Sequence, residues 1–153
     1  MTTKNVGGLD PLEAATLRKT LNELATRRQR LDALDTGISD AITLIQEALR
    51  KHVSIRISTD ISEPPVSTLR YLSFGKHSGT WQLLVESEYG DETDTTPLMS
   101  CSRETRLEMF TKGHVQTLIV DAVAQIDKQI AEREKGLKIA QSLADALTTG
   151  GKP

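Results

Sequence analysis

Cysteine occurs once in these 153 residues, at Cys101, and aromatic side chains make up 3 % of the chain. One cysteine excludes an intrachain disulfide and any cysteine-based metal cage, and it fits a reducing compartment. With so few aromatics, a core must be built from Leu, Ile, Val and Ala, which suits helices packed along stripes. No apolar run is long enough to span a bilayer, and residues 1–8 carry no apolar leader-like stretch, so the expectation is a cytoplasmic chain without membrane contact. Neither charge sign dominates: 19 basic residues stand against 21 acidic ones, a net −2. No global field therefore favours nucleic acid or an acidic membrane. The cluster Arg27, Arg28 and Arg30 is diluted by Asp32 and Asp35, and nucleic acid is not expected as a partner.

What the chain does have is heptad spacing. Ile119, Val123, Ile126, Ile130, Arg133, Leu137, Ala140, Ala144 and Leu147 step by four and three without a slip, as on a helix seam that faces another helix. A matching ladder runs through Leu17, Leu21, Leu24, Arg28, Leu31, Asp35, Ile38, Ile42, Ile45 and Leu49. Asp10-Pro11-Leu12-Glu13 is a start signal for its helix, combining a capping acid, a first-turn proline and a reciprocal acid three residues on. Gly37 lies inside that helix at a cost of about 1 kcal/mol against alanine, and the ladder keeps its phase across it.

Between the ladders the period falls to two. Val53, Ile55 and Ile57 alternate with polar residues, and Pro64-Pro65 then breaks regular structure. Residues 68–74 and 80–88 read as a hairpin joined through Gly75 to Gly79, with Trp81, Leu83 and Val85 on one face and Gln82 and Glu86 on the other. Leu84 interrupts that second face, which implies partial cover there as well. Residues 89–96 read as a polar turn, and 97–101 as a short edge strand opened by proline. Ser102 is the expected cap of the last helix, and Gly113 a point where that helix kinks or splits.

The expected fold is α+β and mostly α, in a single domain spanning 1–153. Two long antiparallel helices, about 10–52 and 103–148, flank a small antiparallel sheet at about 53–101, with tails at 1–9 and 149–153. The sheet segment is acidic: residues 53–102 hold three cations against seven anions, while the segments before and after it each hold eight against seven. The order of elements is similar to that of the prefoldin subunits, which hold a β-hairpin head between two coiled-coil arms. That likeness is one of layout and transfers no site residue.

Candidate sites are few. His52, His77 and His114 fall in different elements without ligand spacing, and the acids from Glu86 to Asp94 lack a calcium-loop order, so neither a metal nor a cofactor is expected. Where the last strand meets the next helix, Ser102, Arg103 and Arg106 surround a helix N-terminus and form a candidate anion site, with Cys101 beside it and its thiol pKa expected to be lowered. Asp35 and Arg133 are candidate partners that would fix register between the two ladders. No nucleophile–base–orienter set can be assembled, so the chain is not expected to be an enzyme. The apolar stripes are wider than one seam needs, which points to a homodimer through helical faces and to a self-associating scaffold whose acidic sheet faces an unidentified protein partner. The alternatives are a chaperone- or adaptor-like holder of client segments, gripping them with Leu17, Leu21, Leu143 and Leu147, and a small-anion site at the Ser102 junction.

Overall fold

The computed structural model describes residues 8–50, 53–61 and 69–150. Residues 1–7 of the tail expected at 1–9, the break at Pro64-Pro65, His52 and the last three residues lie outside them. The architecture is mostly helical: a long N-terminal helix and two C-terminal helices flank, in sequence, a four-stranded antiparallel open sheet. The chain divides into two compact units, Met1–Asp40 and Ala41–Pro153.

Helix α1 spans Pro11–Leu49. Its start is the reciprocal cap that the sequence predicts. The Glu13 backbone N–H donates to Asp10 Oδ1 at 2.8 Å, and the Asp10 N–H donates to Glu13 Oε2 at 3.4 Å. Two N–H groups that the first turn would leave unpaired are thereby satisfied. The helix continues through Gly37, where a side-chain methyl would meet nothing within 4 Å. In the first unit the ladder is open to solvent: Leu17, Leu21, Leu24, Leu31 and the neighbouring Leu34 keep 45–61 % of their surface exposed.

The second unit carries the core. It begins with the last turns of α1, where Ile42 and Leu49 are buried. The sheet follows with strands β1 (Ile55–Ile61), β2 (Leu69–His77), β3 (Thr80–Tyr89) and β4 (Glu92–Pro97), in sequence order. Register puts Ile57, Leu72 and Val85 in one row and Ile55, Phe74 and Leu83 in the next. Because side chains alternate across a strand, these rows share one face. Ser73 and Leu84 belong to the other face and are also buried, so that side is covered at its centre. Leu98, Met109, Val115, Leu118 and Ala122 complete the core.

The turns depart from the sequence expectation. β2 runs to His77, and only Ser78 and Gly79 connect it to β3, both with positive φ (50° and 83°). That pair of angles belongs to a two-residue type I′ turn, whose twist matches the strands it joins. Gly75 to His77 are thus strand, not loop. The segment expected to be a polar turn is mostly β4, entered through Gly90 (φ 60°) and Asp91. Its threonines suit a strand, and its exposed Glu92 and Asp94 suit an edge that must not pair with a stranger. The edge strand expected at 97–101 is instead a single 3-10 turn, Leu98–Ser100, with Pro97 closing β4.

The last helix is split where Gly113 stands. Helix α2 covers Arg103–Thr111 and α3 covers His114–Gly150. Gly113 has φ 76°, its N–H donates to the Phe110 carbonyl at 3.0 Å, and its own carbonyl accepts the Thr117 N–H at 3.0 Å. One left-handed residue therefore ends one helix and starts the next. Gln116 Nε2 clasps the corner by donating to the Phe110 carbonyl at 3.2 Å. α3 lies against β1 and β2, and α2 against α3 and the 3-10 turn.

Candidate functional site

At the strand-to-helix junction Ser102 caps α2. Its Oγ accepts the Thr105 N–H at 3.2 Å and donates to Thr105 Oγ1 at 3.0 Å. Arg106 folds back from the helix: Nη1 donates to the Cys101 carbonyl at 2.6 Å and to the Met99 carbonyl at 3.2 Å. The structure thus brings Ser102 and Arg106 together around the 3-10 turn, while Arg103 lies exposed on the first turn of α2. The guanidinium of Arg106 is thus spent on backbone carbonyls of the 3-10 turn and its C-cap, a structural use of its donors. Glu108, two residues further, meets Arg70 Nη1 at 3.6 Å and Lys112 Nζ at 3.1 Å.

Cys101 corrects the expectation of a lowered thiol pKa. It is half-buried, and its Sγ lies 3.4 Å from the Pro97 carbonyl. Burial pushes the thiol up, and the opposing pull of the Arg70 and Arg106 charges is too weak to reverse it. A thiol in that state is a poor nucleophile at neutral pH.

Asp35 is half-buried on α1. Arg133 is exposed on α3, where its Nη1 donates to the Gln129 carbonyl at 3.3 Å and to Gln129 Oε1 at 3.4 Å. Among the described residues no group of three or more His, Cys, Asp or Glu side chains is arranged to hold a metal ion.

Two polar constellations escape a reading of the sequence. Arg56 on β1 reaches across the sheet to two carboxylates on β3, Glu86 (Nε to Oε2, 2.9 Å) and Glu88 (Nη2 to Oε1, 2.7 Å), and its guanidinium lies 3.6 Å from the Tyr71 ring centre. The Glu88 hydrogen bond holds the guanidinium above its already high pKa. Period-two alternation places Arg56 on a face, but partners some thirty residues away follow only from strand order. The second constellation is a polar cleft of about 460 Å³ beside Trp81, lined also by Gln46, Arg50, Lys76 and Thr80. There Gln46 Oε1 accepts the Leu83 N–H at 3.0 Å, one residue short of where β4 begins to pair with β3. It supplies the partner that β4 does not reach.

A further surface feature is apolar. α3 carries two apolar faces side by side. Val115, Leu118 and Ala122 are buried in the core, whereas the heptad ladder beside them leaves Val123, Ile130 and Leu137 at 52, 48 and 58 % exposure. The ladder read from the sequence therefore overlaps the core face only through the half-buried Ile119 and Ile126, and its remaining apolar members lie beside that face.

Together these features define an α+β chain, mostly α, with a small open sheet and unspent apolar ladders. No protein-family model, curated protein or solved structure matches it. No helix among the described residues is long and apolar enough to cross a membrane.

Proposed function

We propose that this chain is a self-associating helical scaffold, not an enzyme, and that its helices bind a second copy while its acidic sheet segment faces a protein partner. One observation supports the reading: a stretch of each heptad ladder stays exposed in the single chain, Leu17 to Leu31 in the first and Val123 to Leu147 in the second, the half-buried Ile126 excepted. Contiguous apolar stripes of this kind mark interaction surfaces. Two-fold contacts are the commonest way for like chains to cover them. Light scattering tests the idea directly: a mass of twice the chain at micromolar concentration is expected, and a monomer there would refute it.

A holder of client segments is the second reading. The residues it needs at the helix ends, Leu17, Leu21, Leu143 and Leu147, are all exposed. A scaffold gains mass with its own concentration. A holder stays at one mass and suppresses aggregation of an unfolded client in proportion to the amount added.

A further inference from the structure

We propose that the cleft beside Trp81 binds a small aromatic carboxylate, its ring on the indole and its oxygens between Arg50 and Lys76. The cleft lies wholly within the second unit and does not depend on self-association through the ladders. Two elements build it. Gln46 and Arg50, one turn apart at the end of α1, stand on one wall. Lys76 and Trp81, opposite each other across β2 and β3, stand on the other. The indole stacks on the buried Phe74 with 5.8 Å between ring centres, which leaves it as a half-exposed apolar floor.

The polar atoms around that floor are mostly donors. Gln46 Oε1 is committed to the Leu83 N–H, so its Nε2 is the part left to the cleft. Trp81 Nε1 and the side chains of Arg50 and Lys76 add donors from both walls. Among the described residues none of these four has an acceptor, and none is sealed from solvent. The sheet segment holds three cations, of which Arg56 and Arg70 are spent on carboxylates. Lys76 meets none among the described residues.

Charge and size select the ligand. Against Arg50 and Lys76 stand Glu47, which also lines the cleft, and the negative pole of α1, worth about half a charge. The balance stays positive, and the surplus suits one carboxylate, whose two oxygens accept from several donors at once. A volume of about 460 Å³ falls among those of small-molecule sites, roughly 300–1,000 Å³. A bare inorganic anion would leave the indole floor uncovered, whereas a flat ring on the same molecule covers it.

The probe is naphthoate, with naphthamide as the same ring without the charge and acetate as the charge without the ring. Binding is read from the indole N–H resonance of Trp81, the single tryptophan, in nitrogen-correlated NMR spectra. Naphthoate should move that resonance saturably at millimolar concentration or below, with naphthamide and acetate each about tenfold weaker or silent. Lys76→Gln should weaken naphthoate by about three- to tenfold. Glu47→Gln, which removes the opposing charge, should tighten it by about twofold. Both side chains are exposed, so both variants keep the fold, which the same spectra report. Naphthamide as tight as naphthoate, or an affinity that neither variant moves in its stated direction, overturns the proposal. So does saturation without movement at Trp81, or no binding at millimolar probe.

Discussion

Replacing a glycine by alanine should have opposite effects at two places in the second unit. At Gly113 an added methyl meets nothing within 4 Å, so packing does not decide the outcome. The backbone does: φ is +76°, and an L-residue held in the left-handed region costs about 1–2 kcal/mol. Alanine also narrows the unfolded ensemble, which returns about 0.4–1 kcal/mol. The net loss for Gly113→Ala is then about 1 kcal/mol, or about 2–4 °C in Tm for a chain of this size. Gly136, in the exposed part of α3, also has open space, but its φ is not positive. There alanine should gain up to about 1 kcal/mol through helix propensity alone. Urea titrations read by far-UV circular dichroism and by fluorescence of Trp81, the single tryptophan, measure both changes. Gly113→Asn should recover part of the loss, because asparagine tolerates the left-handed region. If Gly113→Ala is neutral or stabilising, α2 and α3 are one continuous helix and the corner described above is wrong.

Other substitutions follow from burial and bonding. Leu118→Ala removes a fully buried side chain and should cost about 2–5 kcal/mol, whereas Val120→Ala, largely exposed, should stay within about 0.5 kcal/mol; chemical denaturation separates them. Arg106→Met leaves the Met99 and Cys101 carbonyls without their donor and should cost about 1–2 kcal/mol, while Arg56→Met, at a more exposed pair, should cost under about 1 kcal/mol. If the two arginines cost the same, the account of the 3-10 turn fails. Cys101, with its thiol pKa raised by burial, should react slowly with iodoacetamide at pH 7. A folded pKa above the unfolded one gives stability that is complete below the unfolded value and lost as pH rises through the folded one. Stability should therefore fall above the ordinary thiol range by an amount that Cys101→Ala abolishes.

Some of the fold is plain in the residues. The reciprocal cap of Asp10 and Glu13 is local chemistry within one turn, and so is the cap at Ser102; both stand where the sequence puts them. The alternation in 80–88 also survives, including the hint from Leu84 that the second face is covered. The turn errors share a cause. Strand pairing and a type I′ geometry extend β2 to His77, because the ladder of backbone hydrogen bonds outweighs the weak strand preference of Gly75 and Lys76. β4 looks polar because it is an edge strand with exposed ends, and edge strands need no buried alternation. At the candidate site, Ser102 was legible as a cap, but the bend of Arg106 onto two carbonyls was not, and the sign of the Cys101 shift turned on how deeply the thiol is buried.

The sequence by itself determined where helices start, where Gly113 interrupts them, which stretch is sheet, and that two ladders keep heptad step. Each of these is set by contacts within a few residues, so the chain states them locally. Only the tertiary structure decided which apolar face of α3 is used. Val115, Leu118 and Ala122 lie one helical position from the heptad ladder, and nothing in their composition ranks them above it. Packing against β1 and β2 makes the choice, buries one face and leaves the other exposed.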